Sequence, residues 1–555
     1  MKPRSIALLF SIRALTTVTC CLLLTAPTVV NAQEVIYVDA DAVGSNDGSS
    51  WANAFADLHS VLMASESGQE IWVAEGTYGV PNYEWPQLEA TFYLRSGVTV
   101  LGGFSGTETD RSERYPLRHT TILSGHPAGG TALSVVTVVD ADSSAILDGF
   151  TISHGNAAAG WSGHLEAKSG GGVFILNGSP ILRNLVFVNN YAAVNGGAIA
   201  NYGGNPLITD CTFLNNTAGT EHGDGGAISS RGGFLTVVNS RFQGNAARGY
   251  DNRLSGSGEG GAISIVDGGA AIVNSLFAHN ETSGIPGAPR FRANGRAQGG
   301  AIYVSAGSTL WVTNSTFVEN HLREDDIVDR EGGGVYVSPA FQSTPAAAAT
   351  IRNSIFWGNH TEEIFGEADV SHAIIEDGYP GVSISTRDPQ LDSLFQFNVN
   401  SPAADAGLDD WLPSDSLDLD SDGDTLEPLP IDALGGRRIV GNAVDLGFYE
   451  NQSVVPTDID PDEFPTARLV SVYPNPASVV ARISLNTSGI DPGSIVLRDA
   501  LGRPVQIIFE GLGSLGQQAQ GRRLWFSVEG LATGIYFLTI TSSEGATVVP
   551  VAVVR

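Results

Sequence analysis

The stretch "GGAIYVSAGSTLWVTNSTFVEN", Gly299 to Asn320, decides the fold, because near copies of its two halves recur through the middle of the chain. The second half carries Asn-x-x-Phe-x-x-Asn. That phrase stands at Asn184/Phe187/Asn190 and, with Asp first, at Asp210/Phe213/Asn216. It continues at Asn239/Phe242/Asn245, Asn274/Phe277/Asn280, Asn314/Phe317/Asn320 and Asn353/Phe356/Asn359. The first half opens on Gly-Gly-Ala/Gly-Ile/Val, which begins at Gly170, Gly196, Gly225, Gly260, Gly299 and Gly332. Between the phrases lie short runs such as "AIYV", "TLWVT" and "STFV", bounded by Gly, Asn and Ser, and these are strand signals separated by turn signals. No helical period interrupts them.

A unit of three short strands and three turns cannot bury its own apolar face, so stacked units must bury it together. The fold expected is therefore all-β, a right-handed parallel β-helix with three short strands per coil. Strands of successive coils stack about 4.8 Å apart, which places Phe187, Phe213, Phe242, Phe277, Phe317 and Phe356 in one internal column. Each buried Phe contributes roughly 1.5–3 kcal/mol. The flanking Asn residues tolerate left-handed backbone and reach the next coil, so they belong at corners. Gly-Gly suits a tight bend at strand entry. Both phrases hold the fold, and function has to be sought elsewhere.

Spacing between repeats varies at one place, from the closing Asn of one coil to the Gly-Gly of the next. It is short in "YAAVN" (191–195), longer in "TAGTEHGD" (217–224), and grows to "AARGYDNRLSGSGE" (246–259) and "ETSGIPGAPRFRANGRAQ" (281–298). It then falls to "HLREDDIVDRE" (321–331), and an earlier member is "AAAGWSGHLEAKS" (157–169). Insertions at one phase of a solenoid project from one side. These hold Arg248, Arg253, Arg290, Arg292, Arg296, Arg323, Arg330 and Lys168 beside Trp161, Tyr250, Phe291, His164 and His222. Arg grips carboxylates in bidentate fashion and aromatic rings lie against sugar faces, so the clustering suggests a carboxylated or sulfated glycan. The alternative is solvated loops whose charges pair with Asp251, Glu259, Glu324, Asp325, Asp326 and Asp329.

The formal charge of -30 on 555 residues argues against nucleic acid as a partner. "MKPRSIALLFSIRALTTVTCCLLLTAPTVVNAQE" reads as a basic start, an apolar run and a small-residue site ending at Ala32, so residues 1–32 are expected to be an export signal. Losing Lys2, Arg4 and Arg13 makes the mature chain more acidic still. With Cys20 and Cys21 in the leader, Cys211 is the one thiol left, and its place inside a strand-like run marks it as a small buried residue. No later segment is apolar enough to span a bilayer, and a monomer is expected.

These coils resemble the pectin-lyase-like superfamily. "YVDADAVGSNDGSSWANAFADLHSVL" followed by "IWVAEGTY" resembles the opening of its secreted bacterial members, in which a strand, a short helix (here near Ala56 to Ser65) and a second strand start and cap the solenoid. The resemblance spans Val35 to Glu450 and implies the fold. Lyases of that superfamily use an Arg or Lys base, with calcium or Arg neutralising a uronate, and its hydrolases use paired carboxylates. Glu324, Asp325 and Asp326 near Arg323 and Arg292 could be placed in either scheme, but no lyase signature carries over residue by residue, so no catalytic residue is assigned.

Residues 33–396 are thus expected to hold the N-terminal cap and β-helix, and 397–450 its acidic closing segment. The latter, with "SPAADAG" and a later "DLGFYE", resembles the choice-of-anchor Q region of surface-sorted bacterial β-helices. Within it Asp418, Asp420, Asp422, Gly423 and Asp424 read Asp-x-Asp-x-Asp-Gly-Asp. Alternate carboxylates converge on one hard cation, and the Gly permits a sharp fold, so Asp418, Asp420, Asp422 and Asp424 are candidate ligands of a structural calcium ion. Leu429 stands where an EF-hand has its closing Glu, which leaves Glu427 or Asp432 to complete the shell. A solvated acidic turn is the competing reading.

"NQSVVPTDIDPDEFPT" (451–466) reads as a linker. Residues 467–555 alternate short strands with turns, as a small Ig-like β-sandwich does. Tyr473-Pro474-Asn475-Pro476, then Asp499 through Gly502-Arg503, then Gly534-Ile535-Tyr536 resemble the type A C-terminal sorting domain of the type IX secretion system, although the chain ends on a single Arg555. That resemblance implies contact with the secretion machinery and release or attachment outside the cell. Three functional readings stand: a secreted or surface β-helix binding extracellular glycan or another surface partner, a lyase or glycoside hydrolase acting on an acidic polysaccharide, and an adhesive or structural solenoid without a small ligand.

Overall fold

The computed structural model describes residues 34–80, 90–116, 118–125, 132–158, 167–220, 222–249, 256–284, 295–323, 328–420 and 422–452. In the terminal module it describes residue 531 and the strands within 470–473, 480–485, 492–498, 504–510, 522–527, 534–542 and 545–553. The expected leader, the linker beyond residue 452 and the Arg290, Arg292 and Glu324–Asp326 positions lie outside the described residues.

The solenoid is a right-handed parallel β-helix. Among the described residues a 20-stranded sheet, a nine-stranded sheet and shorter ladders of six and four strands run along it. Every described pairing between its coils is parallel, with one register shift between Trp72 and Ala74, and the repeats stack in register, as in Phe187↔Phe213, Phe242↔Phe277 and Phe317↔Phe356. One face of each coil is folded in two. Its bend falls on the first residue of the Asn-x-x-Phe-x-x-Asn phrase, where Asn184, Asp210, Asn239, Asn274, Asn314 and Asn353 take φ between 48° and 54°. Asn and Asp tolerate this left-handed backbone better than other non-glycine residues.

The expected Phe column is present. Adjacent rings from Phe187 to Phe356 stack with centroids 4.4–4.7 Å apart and planes within 2–3° of parallel. All six rings are fully buried. The closing Asn residues form a second column with a different role from the first. Asn280 Nδ2 donates to the Phe242 carbonyl and to Asn320 Oδ1, while Asn280 Oδ1 accepts from Asn245 N and Nδ2. The same set repeats from Asn190 to Asn359, and Glu363 ends it by accepting from both nitrogens of Asn359. Gly-Gly is required sterically, since a Cβ at Gly226 would lie 2.1 Å from the Gly261 carbonyl oxygen. Cys211 is buried, its Sγ directed at the Thr209 carbonyl at 3.2 Å, and burial pushes the thiol well above its usual range.

At the N-terminal end the helix Leu58–Ala64 caps the stack, with Asp57 accepting from His59 N and Ser60 N and with Leu58, Val61 and Leu62 in the core. The closing segment does not simply cover the other end. It runs back along the side, over the outward face of the long sheet. Asn274 Nδ2 donates to the Ile431 carbonyl at 2.8 Å, Phe448 N donates to Thr316 Oγ1 at 3.2 Å, and Asn353 exchanges two bonds with Leu408. Leu276, Ala278, Val318, Phe395 and Phe448 form the apolar seam beneath it. Arg438 is fully buried at its heart, donating to the Asp445 and Gly447 carbonyls near the Glu450 carboxylate.

In the terminal module Val470–Tyr473, Val480–Leu485 and Arg522–Ser527 form one antiparallel sheet. Pro492–Arg498, Pro504–Glu510, Gly534–Ser542 and Gly545–Val553 form another, with Ile495, Leu497, Leu538 and Val551 buried.

Because the columns carry the stack, Phe277→Ala should lower stability by about 3–5 kcal/mol in urea unfolding. Asn280→Ala leaves buried donors and acceptors unpaired and should cost at least about 1–3 kcal/mol. An Asn280→Ala effect no larger than that of an exposed substitution would show the Asn column to be ornamental.

Candidate functional site

The residue just before each Gly-Gly forms a ladder of its own: Ser169, Asn195, Asp224, Glu259, Gln298 and Glu331, each paired with the next. These residues end the variable loops, so the loops spring from this edge. Beside the ladder lies the outward face of the nine-stranded sheet. Inward positions such as Ile228, Ile263 and Ile302 are core, and alternation turns Ala200, Ser229, Ser264, Tyr303, Tyr336 and Phe365 outward in one row.

Along this edge the chemistry changes coil by coil. Asn195 Nδ2 donates to the Tyr202 hydroxyl at 2.7 Å and to Ser169 Oγ at 3.2 Å. Arg231 Nε donates to Asn195 Oδ1 at 3.3 Å, and its Nη2 pairs with the Asp224 carboxylate. Glu259 sits one coil above Asp224. Burial and the Asp224 charge push its carboxyl up to about 8, although Arg231, Arg296 and the Tyr303 hydroxyl oppose them. Beyond it Gln298 Nε2 donates to Glu331 Oε2 at 2.8 Å. Tyr303, Tyr336 and Phe365 stack with centroids 5.3 Å and 5.0 Å apart. Burial raises the Tyr303 and Tyr336 hydroxyls, which therefore stay protonated.

Small side chains lie at the centre of the row. The Ser229 and Ser264 hydroxyls are buried with no hydrogen-bond partner. Arg330 Nη1 is also buried without a partner. Groups of this kind are costly unless something completes them. Arg296 is exposed, and Glu259, Arg231, Tyr303, Arg330 and Glu331 are partly so.

Of the loop residues singled out from sequence, Arg296 and Arg330 belong to this edge, and Lys168 adjoins Ser169. Arg323 instead pairs with Glu281 at 3.8 Å on the exposed surface, and His222 Nδ1 accepts from Ser257 N at 3.4 Å. Arg248 is exposed at the end of its strand. Trp161, His164, Tyr250, Arg253 and Phe291 lie outside the described residues. Sequence reasoning passed over Asp224, Arg231, Tyr303, Tyr336 and the two Ser residues. Aligning the repeats on Gly-Gly rather than on Phe would have exposed both columns.

The acidic loop is a second candidate. Its ends are tied by Asp415 N to the Glu427 carbonyl and Leu429 N to the Pro413 carbonyl, each at 2.8 Å. Asp418 takes φ 51° and Gly423 φ 89°, and Gly423 N donates to Asp418 Oδ1 at 3.0 Å. Ligand-capable oxygens of Asp415, Asp418 and Asp420 lie within 4.8 Å of one another, as do those of Asp420, Asp422 and Glu427. Asp424 belongs to neither group, and its Oδ1 accepts from Leu426 N. Asp432 is committed elsewhere, buried and accepting from Leu434 N, Gly436 N and Glu450 N.

Comparison with known proteins adds the following. Residues 471–554 match the secretion system C-terminal sorting domain, which marks the chain for export. Residues 184–202 and 210–231 match the Chlamydia polymorphic membrane protein repeat. Against curated proteins the chain has no match. Among solved structures, that of pectate lyase Pel9A is similar at 16% identity with a TM-score of 0.41, covering 76% of this chain and 97% of that one. No helix among the described residues is long and apolar enough to cross a membrane.

The protonated state of Glu259 sets a sign for pH. A carboxyl whose pKa rises from 4.5 to about 8 on folding binds a proton that the unfolded chain releases, so stability falls as pH climbs through that window and levels off above it. Glu363 and Glu450, also pushed up to about 8 by burial, act in the same direction. Urea midpoints at pH 5, 7 and 9 should decline, and Glu259→Gln should remove part of the decline. An unchanged slope in that variant would show that Glu259 ionises freely in the fold.

Proposed function

We propose that the protein is an extracellular or surface-held β-helix, delivered by type IX secretion, that engages an acidic extracellular polysaccharide along the Asn195–Glu331 edge. The juxtaposition of the stacked Tyr303 and Tyr336 with Arg231, two residues beyond their row on the same sheet, and with Arg296 on the adjoining four-stranded ladder carries this reading. Guanidinium groups hold carboxylate or sulfate oxygens through paired N–H donors, and the Tyr303–Tyr336–Phe365 stack, its ring faces turned on one another, presents ring edges and hydroxyls beside them. Direct neighbours differ between coils, so successive sugar units would meet different groups, as a polymer-binding cleft requires. The protein acts as a monomer in this reading. The 397–450 segment is read as the anchor-associated region, with the sorting domain removed or retained at the surface.

A second reading, cleavage of the bound polymer, is favoured by one observation. Asp224 and Glu259 are carboxyls on successive coils, the first ion-paired with Arg231 and the second pushed up to about 8 by burial and by the Asp224 charge. A raised carboxyl beside a second carboxyl is what general acid–base chemistry at a glycosidic bond uses.

The test is retention of the secreted protein on immobilised uronate and sulfated polysaccharides, with reducing ends and unsaturated-uronate absorbance recorded in the same incubations. Arg296→Ala and Tyr336→Ala should each weaken retention about tenfold, a loss of about 1.4 kcal/mol. Product formation abolished by Glu259→Gln with retention intact would establish the enzymatic reading. Retention unaffected by both binding-edge variants would remove this edge from consideration.

A further inference from the structure

Six carboxylates crowd the loop between Pro413 and Leu429, and no Lys or Arg occurs between Arg387 and Arg437. The loop therefore carries no basic residue of its own. Two further facts point to a ligand. Asp415 is only 1% exposed, yet its Oδ1 has no hydrogen-bond partner. Glu427 Oε1 is likewise buried and unpartnered. A carboxylate sequestered from water without a donor is costly, and both of these sit within 4.8 Å of the oxygens of the loop aspartates.

We propose that Asp415, Asp418, Asp420, Asp422 and Glu427 bind one calcium ion, with Asp424 outside the ligand set. The Asp-x-Asp-x-Asp-Gly run marks the place, but Asp424, which follows its Gly, belongs to neither group of converging oxygens and accepts from Leu426 N. The two ligands outside the run come from the strand-like ends, where Ser414 and Pro428 form a bridge. Asp420 belongs to both triads and so lies between them. A set this rich in carboxylates, on an irregular loop, suits calcium, which takes six to eight oxygens in flexible geometry, better than magnesium, which demands a tight octahedron.

The position gives the ion its effect. By joining Asp415 and Glu427 it would clamp both ends of the loop, directly before Leu429 and Ile431, the residue whose carbonyl receives Asn274 Nδ2. Calcium would therefore fasten the side strap to the coils, and do so after export, since the affinities of extracellular modules, on the order of 10⁻⁴–10⁻³ M, match calcium outside cells.

Calorimetric titration of the metal-free secreted protein with calcium chloride, alongside thermal melting in chelator and in millimolar calcium, tests this. The expected result is one ion per chain, a higher melting temperature with calcium and little effect of equimolar magnesium. Asp415→Asn and Glu427→Gln should each weaken calcium binding at least tenfold, while Asp424→Asn stays within twofold of the parent. Neither variant should lower the melting temperature in chelator, since each removes a repelling charge, and this separates ligand loss from misfolding. Loss of binding in Asp424→Asn with Asp415→Asn unaffected would overturn the ligand set, and absence of calcium binding by the parent would overturn the site.

Discussion

Everything in this protein depends on each coil lying in register on the one before it. A parallel β-helix has no local hairpins, so in the repeated coils each strand is satisfied by a strand some 26 to 40 residues away, as in Asn190 with Asn216 and Asn280 with Asn320. Generic backbone pairing tolerates slippage. Two columns prevent it here. Phe stacking fixes the height of each coil on the core side, and the Asn amides, each giving and receiving along the axis, fix it at the neighbouring corner. The Asn column has defined ends, starting where Asn190 reaches back to Gly155 N and the Ile152 carbonyl and finishing on Glu363. Glu363 is a natural terminus, because its carboxyl oxygens accept both of the donors that Asn359 offers, even as burial raises its pKa.

Legibility in the sequence followed the constancy of spacing. Phe and closing Asn stand three residues apart in every coil, so the core could be read from repetition alone. Other positions were hidden by the same rule. Asp224 and Glu259 close loops of different length, and no count forward from Phe213 or Phe242 aligns them. Ser229, Ser264, Tyr303 and Tyr336 were visible only as members of strand-like runs, since hydrophobic patterning does not say which alternate residue faces a functional edge. The two Asn positions of the repeat also looked equivalent, whereas one serves a left-handed bend and the other the amide column. In the acidic loop the motif drew the eye to Asp424. Whether a carboxylate turns inward or caps its own backbone depends on how the chain returns at Asp415 and Glu427, which spacing does not encode.

The closing segment shows why its two phrases belong together. Asp405 N donates to Asp445 Oδ1, Asp405 Oδ1 accepts from Asn442 N and Ala443 N, and Glu450 accepts from Val440 N and Asp445 N. "SPAADAG" and "DLGFYE" are thus two halves of one buried polar clasp, completed by Arg438. Buried ionic groups of this sort contribute less to net stability than to uniqueness of arrangement, and their removal one at a time is costly. The clasp aligns Phe448 over the coils, where the Arg241 guanidinium lies 5.6 Å from its ring centroid.

One consequence follows from where the loops enter. They begin just after the amide column and end just before Gly-Gly, between two of the most rigid points of the coil. Lengthening such a loop changes closure entropy by only about 0.6 kcal/mol per doubling, and it disturbs neither column. Descent can therefore rewrite what this edge touches, residue by residue and loop by loop, while the scaffold is inherited intact. Recognition and folding are written in separate parts of each repeat, so a change of partner need not be purchased with a change of architecture.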